Sequence, residues 1–309
     1  MFGRKSLLSL VIIALLAGFP SGISAKEREP ELLIPLGPWQ LDMGEHKCRL
    51  ARLFGTDEAQ TIFILDQWNP AVSAQWAVAG PPVRRIKSSR EASFAFGPDG
   101  DAEEFRFTPG TLDNYGDVIG DRSTVTAHSH PLPGESDYDW GASPRGILSL
   151  DTSNAASIET LMISQKGAHP FSLRLGPMEK PLTAFNACME NLVEFWGFDL
   201  EEQKAVSTPA RILNLEKVAG RVQQSYPRDA LRNRAQADFH LRLTVGTDGS
   251  VEECFLINQT IAKDFDMSRH PCTTFKTIAE AEPARMADGT PVRTFFNTRI
   301  VYRMRGNAP

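Results

Sequence analysis

The sequence contains no Cys-x-x-Cys pair, so neither a zinc ribbon nor a thioredoxin-like redox centre has the spacing it needs. It contains no Gly-rich phosphate loop, and "GASPRG" is not the Gly-x-Ser-x-Gly elbow of a serine hydrolase. "LSLDTSN" offers one aspartate after an apolar run, but Ser153 stands where an aspartic-protease half-site has glycine, and the chain holds no second copy. With no set of residues that assembles a catalytic constellation, the sequence reads as a protein that is not an enzyme and carries no cofactor. Beyond the N-terminus there is no apolar run approaching the roughly 20 residues of a membrane-spanning helix.

The N-terminus itself has the three parts of a secretion signal. Arg4 and Lys5 supply positive charge, Leu7 to Phe19 an apolar stretch, and Ser24-Ala25 a small-residue cleavage site. Residues 1–25 are therefore expected to be removed on export to the periplasm, and membrane contact is expected only if they are retained. An even number of cysteines in an exported chain points to disulfides: Cys48, Cys188, Cys254 and Cys272. Four cysteines allow three pairings, and a domain split between the second and third favours Cys48–Cys188 with Cys254–Cys272.

Charge supports such a split. Residues 26–219 carry 18 positive and 28 negative side chains, whereas residues 220–309 carry 13 and 10. The modest basic excess of the second part comes without a Lys/Arg run or an aromatic stacking motif, so nucleic acid is not an expected partner. His128 and His130 in "AHSH" have a spacing that can chelate copper or zinc, with His169, Asp137 or Asp139 as further ligands. No helical or hairpin spacing assembles these residues, and no metal is expected.

From Glu31 to about Gly176 the sequence is a series of short aromatic and β-branched runs separated by Gly, Pro and Asp, including "TIFILDQW", "ASFAF", "EEFRFTPG", "GILSL" and "FSLRLG". Strands at this spacing predict a mainly-β domain over 26–205, an antiparallel sandwich or barrel. One helix closes it: apolar residues recur at Leu182, Phe185, Cys188, Met189, Leu192 and Trp196, after Pro181 and before Gly197. "EEQKAVSTPAR" loses periodicity and reads as a linker. In 206–309 a helix-like "YPRDAL" precedes an alternating run from Ala237 to Val245, a turn at "GTDGS" and the return "VEECFLIN". A helix within Phe265 to Ala281 and an alternating "PVRTFFNTRIVYRM" complete a small α+β domain with a three-stranded antiparallel sheet.

Residues 226–304 resemble the C-terminal domain of TonB-family energy transducers. The resemblance rests on Tyr226, Pro227 and Ala230 in "YPRDAL", on Asp248, Gly249 and Val251 in the hairpin, and on the pair Phe265-Asp266. It continues through Pro283, Ala284, Gly289, Pro291 and Val292 in "EPARMADGTPV". The upstream part, with "GPWQLD", "CRLARLFG" and "WGFD", is similar to one found ahead of such domains in proteobacterial TonB-like proteins. In the family a strand of this domain receives an extended segment of an outer-membrane receptor, so the resemblance implies that an outer-membrane receptor or other envelope protein is bound here by strand addition. The corresponding strand runs from Arg293 to Arg303. Its partner-binding residues would be Arg293, Phe295, Asn297, Arg299, Val301 and Arg303, on the face opposite Val292, Phe296, Ile300 and Met304. Residues 1–25 lack the family's anchor histidine, there is no Pro/Lys/Glu-rich spacer, and His270-Pro271 interrupts the family's helix. Two other functions stay open at this point: a membrane-anchored transducer that keeps residues 1–25, and an envelope enzyme or metal carrier that uses the β domain.

Overall fold

The computed structural model describes residues 29–107, 109–127, 146–233, 237–261 and 271–302. The chain is mainly β, with several antiparallel sheets and few helices. Two of the sheets face each other. One has six antiparallel strands in the order Gln40–Met43, Cys48–Thr56, Ala59–Gln67, Ala74–Ala79, Gly116–Ser123, Gly110–Leu112. The other has five, in the order Glu31–Leu33, Phe171–Arg174, Thr160–Ser164, Ala92–Phe96, Glu103–Phe105. Its first pair is parallel, a departure from the all-antiparallel expectation.

Alternation along each strand turns one row of side chains into the space between the sheets. Leu50, Phe54, Phe63, Leu65, Trp76 and Val78 come from the first sheet, and Phe94, Phe96, Leu161, Ile163, Phe171 and Leu173 from the second; all belong to one buried cluster. Rings interlock across the gap, with Trp76 edge-on to Phe94 at 4.9 Å. This is a sandwich rather than a closed barrel.

Helix α1 (Glu179–Phe195) buries the expected stripe of Leu182, Phe185, Cys188, Met189 and Leu192. Gly197 ends it at φ +80°, where a side chain would be strained. Cys188 is bonded to Cys48, with 6.2 Å between their Cα atoms. Two stretches differ from expectation. "GILSL" forms no strand, because the Asn186 side chain satisfies the backbone there: Leu150 N donates to Oδ1 at 3.0 Å, and Nδ2 donates to Leu150 O at 2.9 Å. The expected linker opens as a five-residue helix, Leu200–Lys204, because Asp199 accepts from Glu202 N and caps it.

The second buried cluster lies under a three-stranded antiparallel sheet formed by β1 (Ala237–Val245), β2 (Val251–Ile261) and β3 (Thr294–Tyr302), with β1 in the middle. Phe239, Leu241, Leu243, Val245 and Phe296 point into it. Two helices cover that face, α2 (Leu215–Gln224) and α3 (Pro271–Ile278). The turn between β1 and β2 needs glycine twice over: Gly249 has φ +83°, and a Cβ there would lie 2.4 Å from Ala281 O. Cys254 of β2 is bonded to Cys272 of α3. "EPARMADGTPV" folds as a small hairpin in which Ala284 pairs with Val292 and Arg285 with Pro291.

Candidate partner-binding edge and the seam behind it

Strand β3 pairs with β1 along its whole length, Thr294 with Val245 through Tyr302 with Ala237, and it ends the sheet. Among the described residues no strand lies on its other side, so alternate backbone N–H and C=O groups of β3 point away from the sheet. The near end of this edge is occupied. Gln203 Nε2 donates to Arg293 O at 2.9 Å, while Thr294 Oγ1 donates to Gln203 Oε1 at 2.6 Å. The rest of the end strand runs from Phe295 to Tyr302.

The side chains expected to face a partner are placed differently. Phe295 is 5% exposed, edge-on to Trp196 at 5.7 Å and to Phe198 at 5.5 Å. Arg293 does not project freely: its Nε contacts Glu252 Oε2 at 2.7 Å, Nη1 donates to Gly197 O, and the guanidinium lies over Phe198. Asn297 has both amide atoms buried without a hydrogen-bond partner. Arg299 is exposed and Val301 half-buried. Arg303, Met304, the pair Phe265-Asp266 and the histidines of "AHSH" lie outside the described residues, as do residues 1–25. The face of β3 read as outward is thus turned, over its first half, toward the segment that follows α1. Alternation of Arg, Phe, Asn and Arg gives no sign of this, because a second apolar layer contributes one aromatic, Phe295, to an otherwise polar row.

By register the same face carries His240, Arg242 and Thr244 of β1 and Glu253 and Phe255 of β2. Here the sheet meets the sandwich along a seam of rings. Trp68 packs on His240 at 5.1 Å, His46 on Phe255 at 5.8 Å, and Trp196 on Arg242 at 3.8 Å. Trp196 is held by its Nε1, which donates to Glu45 O at 2.8 Å. On the sandwich side Asp66 gathers Lys47 and a two-pronged Arg49. Of these seam residues the sequence pattern points only to Trp196, and to it as part of the α1 stripe rather than of a contact with Arg242. The signal available was Arg242, a permanently charged side chain within a run of strand residues whose neighbours are strongly apolar.

Arg242 is the seam's least comfortable group. It is 3% exposed, its guanidinium lies 3.8 Å from the Trp196 ring centre and 5.0 Å from that of Phe255, and Nη2 donates to His46 Nδ1 at 3.4 Å. Nη1 has no partner. Burial pushes its pKa down to about 10 against the pull of the Glu253 carboxylate, so it is charged at neutral pH. A guanidinium can only donate, so Nδ1 of His46 accepts and the ring is neutral. Burial first, then Arg242, lowers the pKa of His46, with Glu45 opposing.

The sign of the resulting pH dependence is fixed. The unfolded chain binds the proton at its ordinary value near 6.5, before the folded chain does. The stability that neutral His46 contributes is complete above that value and is lost as pH falls below it toward the lowered folded one. Urea midpoints measured between pH 7.5 and 5 should fall with pH, and His46→Gln should flatten part of that fall.

Comparison with protein-family models, curated proteins and solved structures finds no match for this chain. Among the described residues no group of three or more His, Cys, Asp or Glu is placed to hold a metal, and no helix is long and apolar enough to cross a membrane.

Proposed function

We propose that the protein is a periplasmic TonB-like partner-binding protein of two domains, 26–205 and 206–309, which takes an extended segment of an outer-membrane receptor or other envelope protein onto β3. One observation carries the reading: β3 is an end strand of its sheet, with no strand on its outer side among the described residues. Main-chain pairing supplies affinity in this mode, and side chains on alternate positions supply selectivity. The two buried clusters, one under the sandwich and one under the small sheet, support the division into domains. The motifs around "YPRDAL" and "PARMADGTPV" support the kinship.

Proline replacement tests the edge. In an antiparallel edge strand successive N–H groups alternate between the neighbour and the outside. Of Asn297→Pro and Thr298→Pro, one should break pairing with β1 and unfold the sheet. The other should leave the fold intact by circular dichroism and weaken binding of a partner captured from envelope extract by at least about tenfold. Two folded proline variants that both bind like the parent would place the partner elsewhere.

A further inference from the structure

Arg242 and Asn297 sit opposite each other on neighbouring strands, β1 and β3, with their side chains on the same face. Arg242 is more than nine-tenths buried, with its guanidinium 3.8 Å from the Trp196 ring centre and 5.0 Å from that of Phe255. Its Nη2 is engaged with His46, while Nη1 has no acceptor. Asn297 beside it has a buried Nδ2 donor and Oδ1 acceptor, both unpartnered. Among the described residues Glu253 accepts from Thr244 Oγ1 and Glu252 pairs with Arg293, and neither bonds to Arg242 Nη1. Buried cations and amides in native proteins have partners, and here two adjacent donors lack an acceptor.

We propose that Arg242 and Asn297 form a carboxylate-binding niche, one carboxylate oxygen accepting from Arg242 Nη1 and the other from Asn297 Nδ2. Two donors match the two oxygens of a carboxylate monoanion, whereas a tetrahedral dianion would leave further oxygens and a second charge without partners. Approach is from the β3 edge, since Asn297 lies on the end strand and Arg242 one strand further in. The carboxylate belongs either to a free small acid or to an Asp or Glu side chain on a strand added to β3 opposite Asn297. Only the second source rests on the docking reading given above.

The test uses the full chain with two probes. Sodium acetate, titrated against sodium chloride at constant ionic strength, should give a saturable change in tryptophan fluorescence through Trp196, and Arg242→Met should abolish it. Two ten-residue peptides of alternating Val and Thr, differing only in a central Glu or Gln, should bind with about tenfold preference for Glu. That preference should vanish in Arg242→Met and shrink in Asn297→Leu, which keeps the guanidinium. An acetate response without binding of either peptide would leave the niche standing for free acids and remove the docking edge. A Glu preference that depends on Arg242, without an acetate response, would assign the niche to an added strand. Equal binding of the two peptides, or binding of neither, together with no Arg242-dependent acetate response, overturns the niche. Equal binding would leave the edge in place.

Discussion

Replacing Cys48 and Cys188 together with alanine should cost more stability than any single substitution on the surface of the protein. The bridge joins residues 140 apart in sequence and ties the Cys48–Thr56 strand, second in the six-stranded sheet, to α1. Both cysteines lie in the core cluster, so the native chain around them is held by packing as well as by the bond. Without the bridge, the unfolded chain regains the freedom of a very long loop. The chain-entropy relation puts this at about 5 kcal/mol, against about 3 kcal/mol for the 18-residue separation of Cys254 and Cys272. Urea unfolding of the two double-alanine variants under non-reducing conditions should therefore rank the first as the more damaging. The reverse order would mean that the unfolded state retains structure around the sandwich that the bridge does not constrain.

Trp196→Ala should be the most costly single change at the seam, at about 3 kcal/mol. The indole is the surface on which Arg242 rests and one wall of the Phe295 site, and its Nε1 bond to Glu45 O fixes it to the turn that carries His46. Removing it takes away a cation–π contact and an aromatic pair while leaving a buried charge with less compensation. The diagnostic quantity is the coupling. Arg242→Met alone should be nearly neutral, because an apolar side chain of similar length replaces a charge that lacks a full set of partners. In its background Trp196→Ala should cost about 1–2 kcal/mol less than in the parent. Additive effects would show that the stack contributes shape alone.

The strands of the sandwich and of the small sheet were legible because strand alternation is a local signal: Phe94 and Phe96 in the first, or Leu241 and Leu243 in the second, declare their buried face within five residues. The stripe of α1 was legible for the same reason, and both disulfide pairings followed from placing two cysteines on each side of a boundary. Helix α2 was also written in the sequence, in Leu215, Val218 and Val222 at helical spacing, but lay beside a stretch read as linker. The seam was not legible. Trp196 looked like the last turn of the helical stripe, and it is instead the C-cap residue, turned toward Arg242 and Phe295. Phe295 looked like one aromatic in an outward row. Which residues from distant segments share a surface depends on how two packed layers meet, and no period within either segment encodes that.

Hydrogen exchange along β3, measured on the full chain alone and with its captured envelope partner, bears most directly on strand addition. In the free protein, alternate amides from Phe295 to Val301 should exchange fast while their neighbours, bonded to β1, exchange slowly. With the partner bound, the fast set should become protected and the amides of the six-stranded sheet should be unchanged. Protection appearing instead along Gln40–Met43, the outer strand of that sheet, with β3 exchanging as before, would contradict the account.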